Sequence, residues 1–439
     1  MKIRLKEKNI SIIYVILIAF ISLFIAIIQP ENSGPDEEMK ISISKYIAEN
    51  GTLPHGTDEA VREKIWGTSY AFTPILSYMI GAVFIKITSL FTLNAHAFYV
   101  AVRLVSVICY TIMTVFVIKI GGKLFKDNLF LKWIFILFVT ILPQMTFIGT
   151  YINNDSLALM SISIIVYAYL RSLEDKFSLK TCIMLAFGLG ICFLSYYNAY
   201  GYILTSVIIY VTYSMLHKVP IKKFITKGII ISLVTMLICA WWFIRNASLY
   251  DGDFLGLRSS DECAEMYARE DLKPSNLVTP EKENISIITM IFERKWLWLT
   301  IKSFIAVFGY MSINMHRFVY IVYILLFLLG IVGAVFRFIN TKNMKENIDN
   351  TLLNIIFGIN IIVPIILSLY YSYASDFQPQ GRYVMPALIP LMYFIVLGID
   401  YIISRFTKEK VRKKIQISVI SVYVILFIIC MIKLISVYI

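Results

Sequence analysis

The sequence predicts an all-α, polytopic transmembrane bundle, and three observations predict it. Hydrophobic residues make up 59% of 439 and mean hydropathy is +0.75, well above the near-half apolar content of a soluble domain. The apolar residues come in blocks of about twenty, the length a helix needs to cross a hydrocarbon core of about 30 Å. Short polar stretches rich in Lys and Arg separate the blocks, so the net charge of +13 reads as the positive-inside bias of a membrane protein. A nucleic-acid binder would instead gather its basic residues on one folded face, and no nucleic-acid partner is expected.

The first block, residues 10–29, follows Lys2, Arg4, Lys6 and Lys8. It is long for a signal peptide and ends without a small-residue cleavage site, so it reads as an uncleaved anchor. Further spans are expected near 96–119, 131–150, 156–171, 181–197, 199–216, 226–244, 317–338, 351–372, 384–404 and 415–437, about eleven in all. Charge decides the doubtful segments. The basic loops 123–132, 171–180, 218–227, 337–345 and 405–414 belong with the N-terminus on the cytoplasmic side. The chain leaves that side by residue 30 and is back by Lys123, which permits an odd number of crossings. Of 70–91 and 95–119 only the longer second one crosses, and 70–91 lies along the outer leaflet. The same parity makes 296–314 a second juxtamembrane segment.

The chain is thus one membrane domain, 1–439, with two outer excursions: 30–95, and 246–316, the latter long enough to carry structure of its own. Its acids include Asp251, Asp253, Asp261, Glu262, Glu265, Glu270 and Asp271. Cys109, Cys182, Cys192, Cys239 and Cys430 fall in apolar blocks and behave as small hydrophobes. Cys263 stands alone in a loop, and neither a disulfide framework nor a metal-ligand spacing is visible.

Three constellations could carry chemistry. Gly34-Pro35-Asp36-Glu37-Glu38 follows the first span. A carboxyl near apolar surface has its pKa raised toward a value useful for a general base, and the bland alternative is an acidic helix N-cap. Tyr151-Ile152-Asn153-Asn154-Asp155 opens a later span on the same side, where Asp155 can cap the helix and the flanking Asn residues exceed what one cap needs. Cations converge there too: Arg103 within a span, Arg245-Asn246, Lys302, His316-Arg317 and Gln380-Gly381-Arg382-Tyr383. An ionisable residue within lipid marks function by default, the bland alternative for the span-exit cations being headgroup anchoring. Arg binds a phosphate bidentately. No Walker loop, dinucleotide fingerprint, HExxH or Ser-His-Asp set is present.

The order of these segments, with Thr73-Pro74-Ile75-Leu76-Ser77-Tyr78, Arg103-Leu104, Leu142-Pro143-Gln144, Trp241-Trp242-Phe243-Ile244-Arg245-Asn246, Gly252-Asp253-Phe254-Leu255-Gly256, Ser303-Phe304, Phe308-Gly309 and Pro386, resembles GT-C glycosyltransferases. The branch it resembles is bacterial and akin to protein O-mannosyltransferases and lipid A aminoarabinose transferases. The resemblance implies an inverting transfer of a sugar from a polyprenyl-phosphate donor to a glycan, lipid or protein acceptor on the outer face of the cell membrane. It implies Asp36 as the base with Glu37 beside it. Asp155 and Asn154 would position the acceptor or a divalent cation, the one cofactor the resemblance admits. Arg103, Arg245, Lys302 and Arg382 would face the donor phosphate. Two departures stand out. Glu38-Met39-Lys40 occupies the place where many relatives carry a His, and Leu194-Ser195-Tyr196-Tyr197-Asn198 lacks a Lys found in relatives. Competing readings are a transporter or flippase of a lipid-linked glycan, which would want ionisable groups in broken mid-membrane helices, and a polysaccharide polymerase or ligase, which gives no reason for the Asp36-Glu37 pair.

Overall fold

A computed structural model describes residues 2–126, 128–340 and 347–439, with the backbone alone for 2–6. The basic side chains of Lys2, Arg4, Lys6, Lys342 and Lys345 therefore lie outside the described residues. The chain runs α1 (Lys2–Ile28), α2 (Glu37–Asn50), α3 (Leu76–Thr88), α4 (Ala95–Leu124), α5 (Leu129–Thr140), α6 (Pro143–Ile148), α7 (Asp155–Asp175), α8 (Leu179–Phe193) and α9 (Gly201–Leu216). It continues through α10 (Ile221–Leu249), α11 (Leu257–Tyr267), α12 (Ile287–Phe292), α13 (Trp296–Ala306), β1 (Val307–Phe308), β2 (Ile313–Asn314), α14 (Arg317–Asn340), α15 (Ile348–Ala374), α16 (Leu388–Phe406) and α17 (Glu409–Tyr438).

Among the described residues, nine helices are long and apolar enough to cross a membrane. The two expected spans that fall short have physical reasons. Residues 131–150 break at Leu142, whose extended backbone (ψ 125°) is what a residue before proline prefers, and Pro143 then opens α6 at its first turn. Helix α8, at 15 residues, is about 22 Å long, less than a full hydrocarbon core. The doubtful segments are short apolar helices: α3 has 13 residues and α13 has 11. The chain after α13 turns back in a two-residue antiparallel hairpin, Val307 opposite Asn314 and Phe308 opposite Ile313.

Local chemistry sets the helix starts. Asn94, Asn128 and Ser178 each accept a hydrogen bond from a backbone N–H of the first turn of α4, α5 and α8. Helix α7 is the most enclosed span and α10 the least. Apolar side chains such as Phe20, Leu237 and Ile244 cover the outside of the bundle, which is the solvent-facing pattern of lipid rather than water. Helices α14 and α16 cross at Gly330, Gly333 and Gly398, where a Cβ on Gly398 would overlap the Gly330 carbonyl. Small residues at such a crossing let backbones approach where lipid gives no hydrophobic drive.

The two ends of the bundle differ. At one end Lys123 and Lys126 pair with Glu174, Lys132 pairs with Glu7, and Lys227 donates to the Lys176 carbonyl. These contacts gather the N-terminus and the first three basic loops together. At the other end the segments 51–75 and 246–295 pack as one cap. Arg269 N donates to the Ile65 carbonyl at 3.0 Å, Gly56 N to the Tyr250 hydroxyl at 3.0 Å, and Thr68 and Ser260 share a hydroxyl contact of 2.8 Å.

Candidate active site

The cap end contains a buried polar cluster, and its foundation is an ion pair. Arg103, fully buried in α4, meets Glu37 at the start of α2 with Nε at 2.9 Å and Nη2 at 2.7 Å. Its remaining donors reach the carbonyls of Ala26, Gln29 and Pro30. All five N–H groups of a guanidinium are thereby occupied. Glu37, fully buried as well, also accepts from Gly34 N at 3.0 Å and Ile152 N at 2.9 Å, so its acceptor sites are filled too. The pair ties the end of α1, the start of α2, α4 and the chain before α7 into one rigid corner. It has no free donor for a phosphate and no free oxygen for a proton.

Asp36 sits beside this corner in a left-handed backbone conformation (φ 59°), which acidic residues tolerate at modest cost. It occupies the N-cap position of α2, yet its side chain makes no capping bond. The carboxylate turns instead to the cluster. It accepts from the Tyr70 hydroxyl at 2.9 Å and Arg382 Nη2 at 3.4 Å, with Lys40 Nζ at 3.6 Å. Lys40 is one helical turn on, where i and i+4 side chains meet. It is 2% exposed, donates to the Pro35 carbonyl at 2.7 Å, and lies over the rings of Tyr70 and Tyr151.

The expectation of a raised Asp36 pKa is corrected here. Burial does push it up, but the charges of Lys40 and Arg382 and the Tyr70 hydrogen bond outweigh burial and bring it down to about 2. Burial pulls the Lys40 ammonium below the ordinary lysine value, against Asp36, which holds it up. The same burial, with the Asp36 charge, keeps the Tyr70 phenol protonated as a donor.

The start of α7 completes the cluster. Its capping bond comes from Asn153, whose Oδ1 accepts from Ser156 N at 2.7 Å, which leaves Asn154 and Asp155 for other roles. Asn154 donates to the Pro74 carbonyl at 3.0 Å while its Oδ1 has no hydrogen-bond partner. Together Lys40, Tyr70, Tyr78, Asn154, Asp155, Tyr196 and Arg382 line a small cavity of about 10 Å³, room for a water-sized group. The Tyr78 hydroxyl and Arg382 Nε are also buried without partners. Native buried polar groups are nearly always bonded, so three unsatisfied groups around one cavity indicate a place for a polar ligand.

A second, open groove of about 460 Å³ lies between α13, the hairpin and residues 377–380, lined by Lys302, Asn314, Gln378, Gln380 and apolar side chains. It reaches the cluster through Gln378, which accepts from the Tyr383 hydroxyl, which in turn accepts from Arg382 Nη2 at 3.1 Å. Gly381 allows this approach: its N–H donates to Ser303 Oγ at 2.6 Å, and a Cβ there would overlap the Phe304 backbone.

Of the residues singled out in the sequence, the structure brings Asp36, Asn154, Asp155 and Arg382 together and sets Lys302 in the adjoining groove. Glu37 and Arg103 form the corner beneath. Arg245 is elsewhere, donating to the Pro54 carbonyl at 2.6 Å and stacking on Trp242, where it braces the cap. Sequence reasoning gave no role to Lys40, Tyr70, Tyr78 and Tyr196. The i,i+4 spacing of Asp36 and Lys40 was the available signal for one of them. Among the described residues no group of three or more His, Cys, Asp or Glu is placed to hold a metal, and Asp36 already faces the cations Lys40 and Arg382.

No curated protein sequence matches the chain. Solved structures do match it in fold. The archaeal oligosaccharyltransferase AglB from Archaeoglobus fulgidus, in complex with an inhibitory peptide and a dolichol-phosphate, aligns with TM-score 0.58 at 11% identity, over 98% of this chain and 56% of AglB. The same organism's oligosaccharyltransferase with Zn and sulfate aligns at 0.56 and 13%, over 96% and 52%. ArnT from Cupriavidus metallidurans bound to undecaprenyl phosphate aligns at 0.54 and 13%, over 90% and 60%. The chain therefore spans little more than half the length of these proteins, and what it shares with them is the GT-C-like membrane fold. With that fold and, among the described residues, nine helices long and apolar enough to cross a membrane, it is a multi-pass membrane protein, and its match over residues 44–392 shows that it belongs to the predicted membrane protein family DUF2142.

Proposed function

We propose that the chain is a glycosyltransferase that moves a sugar from a polyprenyl-phosphate donor to an acceptor hydroxyl, with Asp36 as the base. The observation that carries the reading is the Asp36–Arg382 contact at 3.4 Å inside a buried cluster with unsatisfied polar groups. It supports the reading because a carboxylate and a guanidinium meet at one point of a GT-C-like bundle, where a base and a phosphate-neutralising cation are both needed. The acceptor oxygen attacks the anomeric carbon as the bond from that carbon to the phosphate oxygen breaks, inverting the centre. The electron pair stays on the polyprenyl phosphate, whose charge the Arg382 guanidinium neutralises, and the hydroxyl proton passes to Asp36. A carboxylate of low pKa suffices because, with an oxocarbenium-like transition state, the attacking hydroxyl becomes strongly acidic only as its new bond forms. Asn154, Asp155 and the tyrosines hold the acceptor. The groove at Lys302 gives the donor headgroup the room that the small cavity lacks.

The outward orientation is part of the proposal. Its support is that the N-terminus and the first three basic loops gather at the opposite end of the bundle, the end that the positive-inside rule assigns to the cytoplasm. Polyprenyl phosphates of the kind bound by the AglB and ArnT structures are the donor class to try first. In proteoliposomes supplied with undecaprenyl-phosphate sugars, Asp36→Asn is expected to lower transfer by roughly 10²–10⁴-fold while the protein stays in the membrane. Near-normal transfer by that variant would remove Asp36 from the role.

A further inference from the structure

We propose that the Lys40 ammonium is the resident cation of this site, occupying the place where a divalent metal ion would otherwise bridge Asp36 and Asp155. Four observations carry it. The side chain is 3% exposed and lines the same cavity as Asp155, with its nitrogen 3.6 Å from Asp36. The Pro35 carbonyl accepts one of its protons at 2.7 Å, which fixes the nitrogen on the cavity wall. The faces of Tyr70 and Tyr151 stand 5.1 and 5.8 Å from it, and aromatic faces attract a desolvated monocation. The charges of the cluster also balance as built: Asp36 is in contact with the Lys40 ammonium and the Arg382 guanidinium, and Asp155 lines the cavity with both. A divalent ion added there would leave two positive charges uncompensated in a buried site, which is strongly unfavourable.

Here the cation is covalently part of helix α2 and is present in every copy of the protein whatever the metal supply. The assignment goes beyond the transfer reading and does not require it, because metal binding can be measured with no sugar donor present.

The test is Mn²⁺ binding followed by electron paramagnetic resonance, with Zn content by elemental analysis, on the full-length protein in detergent. Wild-type protein is expected to carry no stoichiometric metal that depends on Asp36 or Asp155. Lys40→Met, which removes the charge at similar volume, is expected to gain a Mn²⁺ site tighter by on the order of tenfold or more, the scale on which groups beside a metal change its affinity. Adding Asp155→Asn should abolish that gain, and Lys40→Arg should not show it. One equivalent of Mn²⁺ or Zn²⁺ on the wild type that is lost in Asp155→Asn would overturn the assignment, and this measurement needs no Lys40 variant to fold. A monodisperse Lys40→Met protein that binds no more Mn²⁺ than wild type would overturn it as well.

Discussion

At the scale of the residue, the environment sets the chemistry of each carboxylate. Asp36 and Glu37 are adjacent in sequence, yet one turns to Tyr70, Lys40 and Arg382 and the other is saturated by Arg103 and two backbone N–H groups. The sequence shows that acids and cations are present and in what order, but not which cation reaches which anion. That depends on side-chain direction at helix starts, and Arg245 and Arg103 find carbonyls and Glu37 before they could find a ligand. Tyrosines inside apolar blocks read as core, so Tyr78 and Tyr196 gave no signal. Asp36 also yields a pH prediction. Its folded pKa of about 2 lies below the ordinary 3.8, so its ionised contacts stabilise the fold fully above that ordinary value, and the contribution is lost as pH falls through about 2. The kcat/KM profile is accordingly expected to lack an acid limb from Asp36 between roughly pH 4 and 7. Arg382→Gln should raise the Asp36 pKa and bring such a limb upward in pH. A wild-type limb near pH 5 that vanished in Asp36→Asn would contradict the assignment.

At the scale of the element, hydropathy and turn chemistry made most helices legible, and their ends were set by the Asn and Ser caps. What they could not reveal was the interruption of 131–150, because Leu142-Pro143 is as apolar as its surroundings and only the restriction proline places on its predecessor breaks the helix. The short hairpin after α13 was equally silent, since strands of two residues have no periodicity to read. The crossing of α14 and α16 supplies a prediction. Gly398→Leu is expected to lower the thermal stability of the purified protein or prevent its accumulation, by about 1–3 kcal/mol or more from overpacking. Gly358→Ala, where a Cβ meets nothing within 4 Å, should behave as wild type. Equal stability of the two variants would mean that this crossing is not tight.

At the scale of the whole molecule, the charge distribution was the most informative feature of the sequence, because it sorts loops by end without knowledge of packing. Ion pairs bring the N-terminal helix and the loops 123–132 and 171–180 together in space. Which way the bundle faces is open to direct measurement. All six native cysteines are buried, so single cysteines at the exposed Asn50 and Asn284 are expected to react with an impermeant maleimide from outside intact cells. Labelling only after the membrane is breached would reverse the orientation and the proposed donor side.

The Arg103–Glu37 corner bears on how the chain comes to be assembled. An arginine in the middle of a span costs about 2.5–3.5 kcal/mol to insert, yet each acceptor that Arg103 uses, from Ala26 to Glu37, lies earlier in the chain. During biosynthesis these groups emerge before the residue that needs them. The end of the first span, its trailing loop and the start of α2 thus hold every partner that Arg103 needs before the helix carrying it has been made.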